Sequence, residues 1–152
     1  MLTLTPPDVA RVNDGIIVEK AATVLPATTT TAYFTITGTV RVTALYGVCT
    51  TVCSATATNL SIVHVPTSGT NLTIASTLAI ASFAAGTYVF AELDGTALVG
   101  TTAVSGAIGL SSFSAILGAG SISLTTSATN TGAFRWVVRY VPLEAGSTIV
   151  AA

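Results

Sequence analysis

From Tyr33 onward, apolar residues recur at every second position in short runs separated by turn residues. A period of two puts successive side chains on opposite faces, so each run predicts one half-buried β-strand. Phe34 and Ile36 alternate with Thr35 and Thr37 until Gly38 breaks the run. Val40, Val42, Ala44 and Tyr46 alternate with Arg41, Thr43 and Leu45. Leu60, Ile62 and His64 alternate with Ser61, Val63 and Val65, ahead of the turn residues Pro66-Thr67-Ser68-Gly69. Further strands are predicted within 72–80, 88–93, 97–99, 113–117 and 121–125, with the small-residue stretch 100–120 read as mostly loop. Asp94-Gly95 predicts a hairpin turn after the 88–93 strand.

The strongest pattern comes near the end. Asn130-Thr131-Gly132 is a turn signal. Behind it Phe134, Trp136, Val138 and Tyr140 share one face, and Arg135, Val137, Arg139 and Val141 the other. About eight to ten strands with regular turn signals predict an all-β fold, a β-sandwich or jelly roll.

Residues 1–31 read differently. They carry five of the eleven charged residues, Asp8, Arg11, Asp14, Glu19 and Lys20, and are interrupted by Pro6-Pro7 and Pro26. Proline favours extended backbone, so this segment is expected to be an extended N-terminal arm, with a short strand at 15–18. Its five charges are then candidate contacts to a partner. Residues 32–152 are expected to form a single β-sandwich domain.

Composition sharpens this picture. Only 7% of residues are charged, against roughly 25% in an ordinary soluble domain. Hydroxyls replace them: the chain holds 28 threonines, a β-branched residue suited to a pleated, half-wet surface. Net charge is −1, too little positive charge to neutralise many phosphates, so no nucleic-acid partner is expected. The most apolar window, 74–90, is broken by Ser76, Thr77, Ser82, Gly86 and Thr87 and lacks flanking basic anchors, so no membrane span is expected. A weakly charged, apolar surface is sticky when left open, which favours a homo-oligomer, a trimer in particular.

Chemical equipment is sparse. His64 is the chain's one histidine and lies inside a strand pattern, in phase with Leu60 and Ile62, which marks it as a core or interface residue. Glu92 and Asp94 have the i, i+2 spacing of a shared strand face and could act as a carboxylate pair; a solvated strand end before a turn is the plainer reading. Cys49 and Cys53 match no zinc or CxxC motif. On a straight strand they stand about 13 Å apart, whereas a three-residue hairpin loop would let them bridge. The alternative is two small buried thiols in a reducing compartment. Asn59-Leu60-Ser61 and Asn71-Leu72-Thr73 match the glycosylation sequon, as chance allows in so hydroxyl-rich a chain. No catalytic residue, cofactor or metal is expected. Arg41, Arg135 and Arg139 carry more information, because they stand opposite hydrophobic faces and arginine is enriched at protein contacts.

Two stretches resemble a known group. Thr37-Gly38-Thr39-Val40-Arg41-Val42-Thr43-Ala44-Leu45-Tyr46-Gly47-Val48, followed by Thr50-Thr51, resembles the N-terminal half of small virion structural proteins of tailed phages. Asn130-Thr131-Gly132, Arg135-Trp136, Arg139-Tyr140-Val141-Pro142-Leu143 and Gly146-Ser147-Thr148 resemble their C-terminal end. The cysteines are not part of that pattern. The resemblance implies a β-rich head decoration (cement) protein. It would sit on the capsid surface as a trimer, bound to the major capsid protein or another virion protein and made in the host cytoplasm. It transfers no site residues beyond the strand arginines and Trp136. Two rivals stand beside it: a tail or fibre component that binds a receptor or carbohydrate, and a secreted bacterial β-sandwich protein.

Overall fold

The computed structural model describes residues 15–101 and 113–152, and in them the alternating runs become eleven β-strands with no helix. These are β1 (Ile16–Val24), β2 (Thr30–Thr37), β3 (Val40–Thr51), β4 (Asn59–Pro66), β5 (Leu72–Ala79) and β6 (Tyr88–Phe90). They continue with β7 (Val99–Gly100), β8 (Ala115–Leu117), β9 (Gly120–Thr126), β10 (Ala133–Pro142) and β11 (Thr148–Ala151).

One sheet runs β1-β10-β3-β6-β7, with β8 also on β3; the other runs β11-β2-β9-β4-β5. All strand-to-strand pairings are antiparallel. The pairs β4·β5, β3·β6, β2·β9 and β1·β10 are nested, as in one long double ribbon. That ribbon is rolled, so that β10 also lies against β3 and β9 against β4. This is the strand order of a jelly roll, and the expected all-β sandwich is the fold of the chain.

The core lies between the sheets. Phe134, Trp136, Val138 and Tyr140 of β10 all point inward and are buried, as the alternation required. They meet Phe34 and Ile36 of β2, Leu60 and Ile62 of β4 and Ile122 and Leu124 of β9. Trp136 stands opposite Gly47, where an added Cβ would lie 2.9 Å from three indole atoms. The missing side chain is what makes room for the ring.

Three expectations need correction. First, the alternation of β3 changes phase. The register shifts at Thr43, between Val42 opposite Tyr140 and Ala44 opposite Arg139. A bulge inserts one residue, and one residue reverses every later side chain. Leu45, Gly47 and Cys49 therefore face the core, and Tyr46 faces outward instead of sharing the face of Val42. Second, residue 31 is no boundary. Ile16–Val24 is an edge strand hydrogen-bonded along β10, and 31 falls inside β2. Ile16 and Val18 pack on the core and Leu25 is buried, so the segment has apolar substance that its prolines and charges masked. Third, Glu92 and Asp94 share no strand face. Strand β6 stops at Phe90, and Leu93 is buried in a left-handed conformation, φ 66°.

His64 is buried in β4, and its Nε2 donates to the Gly118 carbonyl at 3.1 Å. No strand of its sheet carries a charged residue, so burial dominates and holds its pKa below the ordinary 6.5, with the Gly118 contact opposing. Between 6.5 and the lowered folded value the unfolded chain binds the proton more readily. Stability is therefore full above that window and is lost as pH falls through it, by at most about 1.4 kcal/mol per pH unit. Urea titrations from pH 7 to 5 should show this slope, and His64→Gln should flatten it. A wild-type curve flat down to pH 5 contradicts the assignment.

Candidate functional site

Charge is distributed unequally between the two sheets. The strands β11, β2, β9, β4 and β5 contain no Asp, Glu, Lys or Arg. Their exposed side chains are rich in hydroxyls, with valines, alanines, Asn59 and Leu72 among them. Val150, Thr35, Ser121 and Val65 form one row across the sheet, and Thr30, Thr125 and Ser61 another. The hydroxyls bond to one another, Thr30 Oγ1 to Thr125 Oγ1 at 2.8 Å and Ser121 Oγ to Ser123 Oγ at 2.9 Å.

Every strand-borne charge of the described residues lies on three adjacent strands of the first sheet: Glu19 and Lys20 on β1, Arg41 on β3, Arg135 and Arg139 on β10. Pairing register puts the three arginines and Glu19 on one outward face. Arg139 stands opposite Ile17 and Ala44, Val137 opposite Glu19 and Tyr46, and Arg41 opposite Val141 and Ile116. Arg135 Nη1 reaches Glu19 Oε2 at 3.4 Å, with both side chains about half exposed. Such a pair is worth little in free solution.

That pairing leaves Arg41 and Arg139 in neighbouring rows of adjacent strands, with no facing carboxylate on the described strands. The bulge at Thr43 lies between the two rows, and Thr43 Oγ1 donates to the Arg139 carbonyl at 3.3 Å. Bulges of this kind commonly re-aim side chains beside binding sites. Around the arginines the face is apolar. Val137 is buried as its floor, and Ile17 and Ile116 are 61% and 68% exposed. Two guanidinium groups on an apolar ground, with no carboxylate facing them on the described strands, form a surface suited to a carboxylate-bearing partner.

The remaining sequence candidates fall elsewhere. Asp8, Arg11 and Asp14 lie outside the described residues. Lys20 turns to the seam between β1 and β11, where its amine donates to the Ala152 carbonyl and lies 5.9 Å from the Tyr33 ring centroid. A cleft of about 140 Å³ opens there, lined by Lys20, Thr23, Pro26, Thr31 and Tyr33 among others. Tyr33 donates its hydroxyl to the Val24 carbonyl at 3.3 Å. Asp94 is fully exposed and is engaged twice by Thr96, through the backbone N–H at 2.9 Å and the hydroxyl at 2.5 Å. Those bonds lower its pKa and make it a turn-forming residue rather than half of an acid pair.

Sequence reading found the arginines and placed Val137 between Arg135 and Arg139, but missed Tyr46 and Ile17 as their surroundings. The signal for Tyr46 was hidden by the bulge. The signal for Ile17 lay in the alternation of Ile16 and Val18 with Ile17 and Glu19, within a segment read as an arm. No family model, no curated protein and no solved structure matches the chain.

Proposed function

We propose that this protein is a structural component of a tailed-phage virion, a head decoration protein that docks through the arginine-bearing face of its first sheet. The observation that carries the reading is the charge segregation: one sheet face holds all the strand arginines, and the other sheet is free of charge. The two resembling stretches supply all three arginines, Arg41 from the first and Arg135 and Arg139 from the second. A jelly roll is an architecture of viral capsid proteins, but also of lectins and cupins, so the fold alone does not choose among them.

In this proposal the partner is an acidic patch on the major capsid protein or another virion protein, and the protein works as a trimer. Many copies then clamp neighbouring capsomers, and weak contacts add through multivalency. Electrostatic complementarity supplies register and rate more than affinity. The protein would be made in the host cytoplasm and act on the capsid surface, without catalysis.

Arg41→Glu/Arg139→Glu is expected to fold normally, because neither arginine is fully buried, and to weaken particle binding at least about tenfold, since reversing charges across a contact costs upward of 1.4 kcal/mol. Thr35→Glu, on the uncharged sheet, should bind as wild type does. Cryo-electron microscopy of particles incubated with each variant gives the occupancy. Undiminished decoration by the double variant, with loss in Thr35→Glu, would place docking on the other sheet.

A further inference from the structure

Cys49 and Cys53 sit at one end of the sandwich, buried and off the arginine-bearing outer face. Both are free thiols, buried to 1% and 3% exposure. Cys49 faces the core near the end of β3, and Cys53 follows as the chain leaves the strand. The Cys49 thiol donates to the Thr51 carbonyl at 3.1 Å, at the end of β3 that leads to Cys53. Both residues also converge on one carbonyl: Phe83 accepts the Cys53 N–H at 2.9 Å and lies 3.8 Å from Cys49 Sγ. Cys49 donates its N–H to Thr87 at 2.8 Å and accepts from Gly86 at 2.7 Å. The pair therefore holds both ends of the segment 83–87. Behind Cys53, a Cβ on Gly132 would come within 2.4 Å of the sulfur, so a glycine keeps its place open.

We propose that Cys49 and Cys53 are an oxidisable pair that closes to an intrachain disulfide outside a reducing compartment and latches the 83–87 segment to the end of β3. The oxidant is a small-molecule disulfide such as oxidised glutathione. The Cys49 thiolate attacks one of its sulfurs and expels a glutathione thiolate, giving a mixed disulfide. The Cys53 thiolate then attacks the Cys49 sulfur, expels the second glutathione and forms the Cys49–Cys53 bond. Two protein thiols are oxidised, one glutathione disulfide is reduced, and the two protons pass to the released thiolates. Burial raises both thiol pKa values, Cys53 to about 12, so little thiolate forms while the segment is closed and oxidation is slow. A chain made in a reducing cytoplasm then folds first and locks later.

The test takes the full chain, purified reduced, through incubation with oxidised glutathione, followed by intact mass under denaturing, non-reducing conditions. The expected product is a monomer lighter by two hydrogens that no longer reacts with maleimide. Its melting temperature should rise by about 5 °C and fall back with dithiothreitol. Cys49→Ser and Cys53→Ser should each keep one thiol and show no such rise. Persistent free thiols, a stable glutathione adduct, a disulfide-linked dimer, or a lower melting temperature on oxidation would overturn the proposal.

Discussion

Trp136→Ala is expected to lower the unfolding free energy by roughly 3–5 kcal/mol, the largest loss from any single core truncation. Trp136 is fully buried, and its ring stacks on Phe134 with centroids 6.0 Å apart and planes 28° from parallel. Across the ladder its neighbour is Gly47, so nothing on β3 can collapse into the space that the indole would leave. The same geometry makes Gly47→Ala costly from the other side, by about 1–3 kcal/mol, because the ring has no room to yield. The indole Nε1 finds no acceptor among the described residues. Trp136→Phe therefore removes an unsatisfied buried donor along with volume, and should cost clearly less than alanine. Urea unfolding followed by circular dichroism measures all three. A Trp136→Ala loss under about 1 kcal/mol, below the range for truncating a buried aromatic, would show that the ring is not a core residue.

Asn130→Ala is expected to cost roughly 2–4 kcal/mol through hydrogen bonds rather than volume. The side chain is buried and fully used. Its Oδ1 accepts from the Ser54 N–H at 3.0 Å and the Gly132 N–H at 2.9 Å. Its Nδ2 donates to Thr58 Oγ1 at 3.1 Å and to the Ser54 carbonyl at 3.4 Å. Ser54 in turn accepts from the Ser82 N–H at 3.0 Å. One amide thus joins the loop after β3, the segment after β5 and the turn before β10. Alanine strands two backbone donors. Asn130→Asp keeps both acceptors but sets a second oxygen against the Ser54 carbonyl and buries a charge, so it should be no better. Hydrogen exchange should speed up first at Ser54 and Gly132. Unchanged protection at both amides, with a melting temperature near wild type, would refute this role.

The sheet-forming residues of β2, β4, β9 and β10 were legible because two-residue alternation is written directly in side-chain polarity. What was not legible depended on partners far along the chain. Thr43 looks like any strand threonine, and its bulge is defined only by the register against β10. Asn130 reads correctly as a turn residue, but its bonds to Ser54 and Thr58 come from residues more than seventy positions away. Glu19 and Lys20 looked like charges on an arm, because an edge strand needs one apolar side only and Ile16, Ile17 and Val18 blur even that. The arginines were legible as outward-facing. That they share a face, while the opposite sheet holds no charge, required the strand order.

That strand order also constrains synthesis. The partner of β1 is β10, and the partners of β2 are β9 and β11. During synthesis β1 and β2 therefore wait, with their ladder groups open, for β9, β10 and β11. Among the described strands, the pairs β4·β5, β3·β6, β6·β7 and β3·β8 can form before residue 120 is made. Pairing that spans most of a chain folds slowly and leaves edges open to intermolecular pairing meanwhile. A nascent chain stalled before residue 120 should hold only this central half-ribbon, and its exposed neighbours are where a chaperone would be needed most.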